Sequence, residues 1–478
     1  MKLMELLKNC PIRNIHGNTD IDLHGLHYDS RKIERDDAFF ALRGVVSNGH
    51  DYITSAIANG ARVVFCEEQP KHAETVTTVL VDNARRAMAL ASAEFYGNPT
   101  QDMQTVGITG TNGKTTITYL LEAILGEAGL SPAVIGTINY RFGKDLRQAP
   151  HTTPEALDLM KQVSDFWRNG ARSLVMEVSS HALEQHRADG VCFQVGVFTN
   201  LTPEHLDYHL DMESYFASKS HLFQELLPRD KGRAVINIDD VYGRRLAAML
   251  PSAVTCGHHE DADIHPESIE ISLTGIRGSV STPLGAVAVD SPLLGDFNVD
   301  NLLCAIGAAV ALNLSPRVIT AGISAAKGVP GRLEQVENDR GAVILVDYAH
   351  TGDALRRVLE ALEKLSPQRI LTLFGCGGDR DRSKRPIMAE VAARGSDIAI
   401  ATSDNPRTEN PQQILDDVRV GLARVHEREW SRADAMVDTG RGYVVIEDRR
   451  EALEFAVSLL RRGDLLLVAG KGHEDYQI

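Results

Sequence analysis

A segment rich in glycine and threonine, residues 105–116, carries the clearest chemistry in the sequence. A β-branched run there leads into two glycines, a lysine and two threonines at the start of a predicted helix. Gly110 and Gly113 allow successive N–H groups to turn toward an anion, and the positive end of the helix strengthens that attraction. Lys114 can reach the outer phosphates of a nucleotide, and the Thr115 hydroxyl can bind Mg²⁺. The segment therefore predicts a phosphate loop that binds ATP.

The spacing of this segment departs from the common phosphate-binding pattern, which would require glycine at Ile108. We interpret it as a shorter variant of that loop. The alternative is a glycine-rich turn between a strand and a helix, in which the lysine is incidental.

Acidic and imidazole side chains follow two predicted strands. Glu177 ends the first, and the second leads into a segment with His205 and Asp207. These residues are candidate metal ligands near the lysine, although a capping or solvated carboxylate is the alternative for Glu177 alone. His205 and His209 have a helical spacing, but the sequence offers no nearby third zinc ligand and no H-E-x-x-H pattern, so zinc is disfavoured.

Apolar, β-rich runs alternate with helix-length segments along the chain. This alternation predicts an α/β fold with mostly parallel sheets and helical crossovers. Ligands in such folds bind at the carboxyl ends of the strands, where the unusual residues of this chain lie. The runs that we take as examples are 173–177, 195–199, 342–347, 370–374, 398–401 and 465–468.

The chain has 478 residues, more than one hydrophobic core usually supports. We predict three domains, at residues 1–98, 99–329 and 330–478, because Tyr96–Pro99 and Gly328–Gly331 interrupt the pattern of helices and strands. Short alternating stretches at 255–294 predict an antiparallel β excursion inside the middle domain.

The formal net charge of −15 opposes extended binding to nucleic acid or to anionic membranes. The six cysteines form no C-x-x-C pair, which favours reduced thiols over a disulfide framework. The N-terminus lacks the uninterrupted apolar core of a signal peptide, and the longest apolar run, Leu302–Leu312, is too short to span a bilayer. We expect a soluble cytoplasmic enzyme.

Six motifs occur in an order that resembles the Mur ligases, ATP-dependent amide-forming enzymes of peptidoglycan precursor synthesis. The resemblance runs from about Asp29 to Gln477. It implies a small α/β N-terminal domain that binds a UDP-substrate, a central ATPase domain of the phosphate-loop type and a Rossmann-like C-terminal domain that binds an amino acid. The motifs are GTNGKTT at 110–116, EVSSH at 177–181, Asn200 with HLDYH at 205–209, GDFNVDN at 295–301, Gly331-Arg332 and DYAH at 347–350.

The resemblance assigns roles at the ATP end of the site. The residues that it implies for ATP are Gly110, Thr111, Asn112, Gly113, Lys114, Thr115, Thr116, Asn301, Arg332 and Asp347. Those for Mg²⁺ are Thr115, Glu177, His205 and a carbamylated Lys219, and the catalytic set is Lys114, Glu177, His205 and Lys219. Spacing alone would make Lys219 a solvated helix residue, whereas a carbamate has oxygens that suit Mg²⁺.

Hydroxyls, amides and an arginine are suitable partners for a diphosphate, a sugar and a carboxylate. The residues that the resemblance implies for the UDP-substrate are Ser30, Val45, Ser47, Thr152, Thr153, Ser179, Gln185 and Arg187. Individually each signal is weak, since Ser and Thr in loops often cap turns and helices.

The segment TSDNPR at 402–407 resembles the family branch that adds diaminopimelate rather than the one that adds lysine. Diaminopimelate carries one more carboxylate than lysine, and the planar fork of Arg407 can grip it through two hydrogen bonds. A surface ion pair is the alternative for Arg407 alone. The residues implied for the amino acid are Arg380, Asp404, Asn405, Pro406, Arg407, Gly470 and Glu474, of which Glu474 would pair with its ammonium group.

The resemblance thus implies a ligase that adds meso-diaminopimelate to UDP-N-acetylmuramoyl-L-alanyl-D-glutamate through an acyl phosphate. ATP, the UDP-dipeptide and the amino acid would be its partners, Mg²⁺ its cofactor and a monomer its state. Two alternatives remain: a ligase like folylpolyglutamate synthetase, and a nucleotide switch without chemistry. Leu210 and Gly352 depart from the family's usual glycine and proline, and family members normally extend a little beyond Ile478.

Overall fold

A computed structural model describes residues 1–44, 47–71, 73, 75–228, 232–438, 440–474 and 476–477. The chain divides into two compact units. The first comprises residues 1–266, 280–287 and 300–323, and the second comprises residues 267–279, 288–299 and 324–478.

The N-terminal part of the first unit is a sheet with strand order β1-β5-β4-β3-β2, in which β1 is antiparallel to β5 and the other pairs are parallel. Phe40 and Phe65 stack in its core with ring centroids 4.3 Å apart. Its elements are α1 (Leu3–Leu6), β1 (Asn14–His16), β2 (Leu26–His27), a 3₁₀ helix (Ser30–Lys32), β3 (Asp37–Phe40), a 3₁₀ helix (Gly49–Tyr52), α2 (Ile53–Asn59), β4 (Ala61–Cys66), β5 (Thr77–Leu80) and α3 (Ala84–Phe95).

A second sheet in this unit has strand order β13-β12-β11-β6-β10-β7-β8-β9. Its strands are parallel from β13 to β7, and β8 and β9 add antiparallel pairs. Its elements are a 3₁₀ helix (Pro99–Asp102), β6 (Gln104–Thr109), α4 (Lys114–Glu127), β7 (Pro132–Ile135), β8 (Asn139–Phe142), β9 (Asp145–Gln148), α5 (Ala156–Arg168), β10 (Ser173–Glu177), α6 (Ser180–Glu184), β11 (Val195–Phe198), α7 (Leu206–His209), α8 (Met212–His221), a π-helical turn (Leu222–Leu226), β12 (Arg233–Asn237), α9 (Val241–Met249) and β13 (Val254–Cys256).

Strand β6 lies between β10 and β11, and this order places the site. In the register, Ile108 pairs with both Glu177 and Val197. The carboxyl ends of all three strands therefore meet beside the loop that follows β6.

The next elements are β14 (His265–Ser272), β15 (Gly275–Ser281), β16 (Val287–Ser291), α10 (Phe297–Ala311) and α11 (Pro316–Ala325). The short strands form a sheet in the order β14-β15-β16, at the place where a β excursion was expected. The apolar run Leu302–Leu312 lies in α10 except for its last residue, and most of its residues are buried. Within the described part of the chain, no helix is long and apolar enough to cross a membrane.

The second unit contains a sheet with strand order β17-β18-β22-β19-β20-β21, parallel except for the pair β17 and β18. Its elements are β17 (Glu334–Val336), β18 (Val343–Asp347), α12 (Gly352–Glu363), β19 (Ile370–Cys376), α13 (Lys384–Gly395), β20 (Ile398–Ser403), α14 (Pro411–Leu422), α15 (Arg432–Val437), β21 (Gly442–Val445), α16 (Arg449–Ser458) and β22 (Leu465–Ala469).

The alternation of apolar runs and helices predicted this fold class correctly. All six example runs form strands, whose bounds differ from the predicted ones by no more than two residues. The division into domains at 98 and 329 stays a prediction.

Candidate active site

The loop between β6 and α4 has the backbone that an anion site requires. Gly110 has φ 146° and Gly113 has φ 88°, values that side chains disfavour. A Cβ on Gly113 would lie 2.1 Å from Oδ1 of Asn301, so only glycine fits against that amide. Asn200 accepts hydrogen bonds from the N–H groups of Thr111 and Asn112, each at 2.9 Å. The loop is thereby fixed at the N-terminus of α4, where the helix dipole favours negative charge.

Two lysines converge on this loop. Nζ of Lys114 and Nζ of Lys219 each donate to the carbonyl of Gly110 at 2.9 Å. Lys219 is 1% exposed, and its amine lies 4.6 Å from the centre of the Tyr215 ring. Burial, together with the charge of Lys114, lowers the pKa of Lys219 well below its usual value. The environment therefore favours a neutral amine at position 219.

Thr115 and Glu177 lie together, as the order of the strands requires. Oγ1 of Thr115 donates to Oε1 of Glu177 at 3.0 Å and lies 3.1 Å from Oε2. The backbone N–H and the hydroxyl of Thr137 donate to the same carboxylate at 2.9 and 3.0 Å. Glu177 is 1% exposed, and these donors hold its orientation.

The hard oxygens of Thr115 and Glu177 fit Mg²⁺. With Mg–O distances of about 2.1 Å, two neighbouring ligands of an octahedron lie about 3.0 Å apart. The distance between the Thr115 hydroxyl and the Glu177 carboxylate oxygen is 3.0 Å. This pair therefore has the spacing of two adjacent Mg²⁺ ligands.

His205 is half-exposed at the start of α7. Its backbone has φ 56°, and its ring centroid lies 5.0 Å from that of His181 and 6.3 Å from that of Tyr215. Tyr215 in turn contacts the hydroxyl of Thr111 at 3.3 Å. The histidine thus belongs to the aromatic cluster beside the phosphate loop. The side chain of Asp207 lies outside the described residues.

Leu210 stands where the family pattern has glycine, and its backbone conformation explains that pattern. It follows α7 with φ 68° and ψ −48°, and its side chain is 85% exposed. A glycine would adopt this backbone conformation without the steric cost that leucine bears. The glycine expected from the resemblance therefore matches the local geometry.

Four of the residues predicted for the UDP-substrate form one hydrogen-bonded group, and a fifth, Thr152, contacts Thr137. Thr153 accepts from the N–H of Ser179 at 3.2 Å, and its carbonyl accepts from Arg187 at 3.0 Å. Arg187 also donates to Gln185 at 2.7 Å, and the hydroxyls of Thr152 and Thr137 are 3.1 Å apart.

Two further residues predicted for the UDP-substrate, Ser30 and Ser47, lie near the N-terminal sheet. Ser30 begins a 3₁₀ helix, and its carbonyl accepts from Asn59 at 2.9 Å. Ser47 is exposed, and its carbonyl accepts from Gly44 at 3.0 Å. Val45 lies outside the described residues.

In the second unit, Asp347 lies buried at the end of β18. Its carboxylate accepts from the N–H groups of Leu333 and Ala349, both at 2.8 Å. Burial raises its pKa, against the opposing effect of the Arg332 charge. The Arg332 guanidinium lies 4.7 Å from the centre of the Tyr348 ring. Arg332 and Asp347 therefore share one end of the sheet.

The residues predicted for the amino acid lie on three loops of the same unit. We call residues 377–381 the glycine loop and residues 404–409 the DNPR loop. Arg407 has φ 53°, and it donates to the carbonyls of Gly378 at 2.8 Å and Asn405 at 3.3 Å. Arg380, on the glycine loop, is exposed. The structure thus brings both arginines onto neighbouring loops.

Glu474 and Gly470 belong to the third loop, which follows β22. The Glu474 carboxylate accepts from Asn405 at 3.4 Å and from the Tyr348 hydroxyl at 3.5 Å. Lys471 contacts Asp404 at 3.0 Å and donates to Oδ1 of Asn405 at 3.1 Å. This loop and the DNPR loop are thereby connected through charged and polar groups.

Sequence reasoning missed the roles of Thr137, Lys471 and Arg385. Thr137 orients Glu177, and its signal was its position just after β7. Lys471 lies between Gly470 and Glu474, two residues predicted for the amino acid, but was given no role of its own. Arg385, which holds the glycine and DNPR loops from below, gave no signal of its own in the sequence.

Three family models match the chain. They describe the Mur ligase family catalytic domain at residues 22–96, the Mur ligase middle domain at 108–309 and the Mur ligase glutamate ligase domain at 331–472. The chain belongs to the Mur ligase family. This confirms the family that the motifs resembled.

Among similar Mur ligases is one from Geobacter metallireducens, named UDP-N-acetylmuramoyl-L-alanyl-D-glutamate--2,6-diaminopimelate ligase. It is 50% identical over 484 residues, which cover 100% of this chain and 95% of the relative. A solved structure with the same enzyme name is 32% identical, covers 100% of this chain and 94% of its own, and has a TM-score of 0.74.

A folylpolyglutamate synthase of Mycobacterium tuberculosis, complexed with ADP, has a TM-score of 0.62 and 18% identity. The match covers 80% of this chain and 91% of that one. Such low identity shows a common fold alone. The folylpolyglutamate synthase therefore shares the fold of this chain, but it is not a better functional match than the Mur ligases.

Proposed function

We propose that the protein is an ATP-dependent ligase that adds meso-2,6-diaminopimelate to UDP-N-acetylmuramoyl-L-alanyl-D-glutamate and releases ADP and phosphate. The observation that carries this conclusion is the 50% identity, over the full chain, with the Geobacter metallireducens enzyme that is named for this reaction. The phosphate loop and the arginine-bearing loops support it independently.

The reaction has two steps. The γ-phosphoryl group of ATP passes to the γ-carboxylate of the D-glutamyl residue, which yields an acyl phosphate and ADP. The amine of diaminopimelate then attacks the acyl carbon, and the tetrahedral intermediate expels phosphate to leave an amide. Lys114 and the N–H groups of the loop 110–113 bind the phosphates and stabilise the charge that develops on them.

Thr115 and Glu177 hold Mg²⁺ in this proposal, since their oxygens have the required type and spacing. When bound, the metal offsets phosphate charge during transfer. Thr137 keeps the Glu177 carboxylate turned toward Thr115 by donating to both of its oxygens. His205 would help to hold a second Mg²⁺, and the carbamate of Lys219 would offer further oxygen ligands.

Lys219 acts as a carbamate rather than as an ammonium group. Its neutral amine attacks CO₂, a C–N bond forms, and the nitrogen loses a proton, which leaves an anionic carbamate. Burial and the charge of Lys114 both favour the neutral amine that this step requires. The product has negative charge next to Lys114, where a protonated lysine would place a second positive charge.

The amino acid binds in the second unit. Arg407 and Arg380 receive the distal carboxylate of diaminopimelate, and Glu474 pairs with an ammonium group. Lysine lacks that carboxylate and leaves the guanidinium groups without their partner, a loss that disfavours its binding. Asn301, Arg332 and Asp347 contribute to nucleotide binding. The enzyme acts as a cytoplasmic monomer in this proposal.

An ADP-release assay tests the function. The purified chain is supplied with Mg·ATP, the UDP-dipeptide and either meso-diaminopimelate, lysine or glutamate, and the product is identified by mass. We expect product with diaminopimelate only. Absence of product with diaminopimelate would contradict the proposal. In a parallel reaction with a folate in place of the UDP-dipeptide, product with glutamate would favour the folylpolyglutamate alternative.

A further inference from the structure

The glycine loop and the DNPR loop are joined directly through their backbones. The N–H of Gly378 donates to the carbonyl of Asn405 at 2.8 Å, and Arg407 donates back to the carbonyl of Gly378 at 2.8 Å. A Cβ on Gly378 would lie 2.0 Å from the carbonyl oxygen of Pro406, so the two loops are in close contact. Their separation is therefore fixed by more than one contact.

The buried side chain of Arg385 contacts both loops. Its side chain is 2% exposed, and its two terminal nitrogens donate to the two carboxylate oxygens of Glu409 at 3.0 and 2.6 Å. One of these nitrogens also donates to the carbonyl of Gly377 at 3.3 Å, and the other to Asp417 at 2.9 Å. One planar guanidinium thus contacts the first residue of the glycine loop and the last residue of the DNPR loop.

Glu409 also contacts the middle residue of the glycine loop, Asp379. The same oxygen that Arg385 binds at 2.6 Å also accepts from the N–H of Asp379 at 2.6 Å. The Asp379 carboxylate accepts from the N–H and the hydroxyl of Thr408 at 3.1 and 2.7 Å. These contacts close a ring of charged hydrogen bonds that runs from one loop to the other.

Without these contacts, a positive charge at position 385 would be unfavourable. Arg385 lies in the first turn of α13, where the helix dipole opposes a positive charge, and it is withdrawn from water. A lysine at this position would offer a single ammonium group. That group could not bind both Glu409 oxygens and the Gly377 carbonyl in one plane. The contacts require an arginine fork.

We propose that Arg385 is a positioning residue that sets the placement of Arg380 and Arg407, and through it the preference for an amino acid with a second carboxylate. This inference rests on the proposed function, in which those two arginines bind that carboxylate. Arg385 itself is buried below the loops and acts only through them. Small displacements of either loop would separate two groups that must grip one carboxylate together.

Arg385→Lys in the full-length enzyme tests the proposal. We expect the KM for meso-diaminopimelate to rise at least about tenfold, because the fork is lost while the charge remains. The KM values for ATP and the UDP-dipeptide should stay within about twofold of the wild-type values. The preference for diaminopimelate over lysine should fall. Arg394→Lys is the matched control, since Arg394 lies on the same helix in an exposed pair with Glu390.

Glu409→Gln provides a second variant that keeps side-chain size and leaves Arg385 in place. It should raise the KM for diaminopimelate in the same direction, and the double variant with Arg385→Lys should lose less than the sum of the two changes. An unchanged KM and an unchanged preference in a folded Arg385→Lys enzyme would overturn the proposal. The proposal would also be overturned if activity fell equally with all substrates, in proportion to the fraction of folded protein. Failure of the wild-type enzyme with diaminopimelate would instead overturn the proposed function.

Discussion

The buried amine of Lys219 is the least expected group at the residue scale. A lysine that is 1% exposed and shares a carbonyl acceptor with a second lysine is poorly placed to carry positive charge. Its hydrogen bond to Gly110 spans 109 residues of sequence. An apolar side chain would fill the space at lower cost, so a buried amine at this position favours a chemical role over a structural one.

Lys219→Ala should lower turnover by at least about a hundredfold, a loss typical when a group that stabilises transition-state charge is removed. A native mass spectrum of the wild-type protein with bicarbonate at neutral pH should show one added CO₂, which the Lys219→Ala protein should lack. The modification should decline on acidification, because protonation of the amine reverses the reaction. Lys144→Ala, at an exposed position, is the control and should keep full activity. Wild-type turnover in the Lys219→Ala enzyme would reject the carbamate.

At the scale of elements, the turn after α7 bears backbone strain. Leu210 has positive φ and an exposed side chain, so it bears a steric cost without the packing that would offset it. The turn connects the helix that His205 starts to α8, which carries Lys219. Its conformation is therefore constrained by residues on both sides.

Leu210→Gly should stabilise the protein by about 1 kcal/mol, because glycine accepts this conformation without strain. A thermal melt followed by circular dichroism measures the change, and the ligase assay should show retained activity. Leu284→Gly is the matched control: Leu284 is also exposed, but its φ is not positive, so the added chain entropy should lower its melting temperature. A lower midpoint for Leu210→Gly would show that the turn is not strained.

The elements also show which parts of the site were predictable. Glu177 and Asp347 stand at strand ends, and alternating runs of the sequence indicate where parallel strands end. Arg385 and Glu409 are 24 residues apart on either side of β20, and their pairing follows from the packing of α13 with the loops. Composition and periodicity contain no information on such a contact, because either residue alone resembles a solvated surface charge.

At the scale of the whole molecule, each unit has hydrophobic cores of its own and its own group of predicted ligand residues. The first unit contains the phosphate loop, Glu177 and Lys219, and one of its cores includes residues of β10 and α8. The second unit contains the glycine and DNPR loops, which follow β19 and β20, and one of its cores includes residues of these two strands. The residues proposed for Mg²⁺ and for the phosphates therefore lie in the first unit. Those proposed for the amino acid lie in the second unit, together with Arg332 and Asp347, which are proposed for the nucleotide.

Hydrogen exchange of the intact chain should reveal this separation. Mg·ADP with the UDP-dipeptide forms a complex that cannot react, and it should slow exchange in residues 110–116, whose N–H groups face the phosphates. Adding meso-diaminopimelate to that complex should further slow exchange in the glycine loop, the DNPR loop and residues 470–474. Lysine at the same concentration is the control and should give little added protection, because it offers no distal carboxylate to Arg380 and Arg407. Equal protection by both amino acids, or none by diaminopimelate, would show that these loops do not select the substrate.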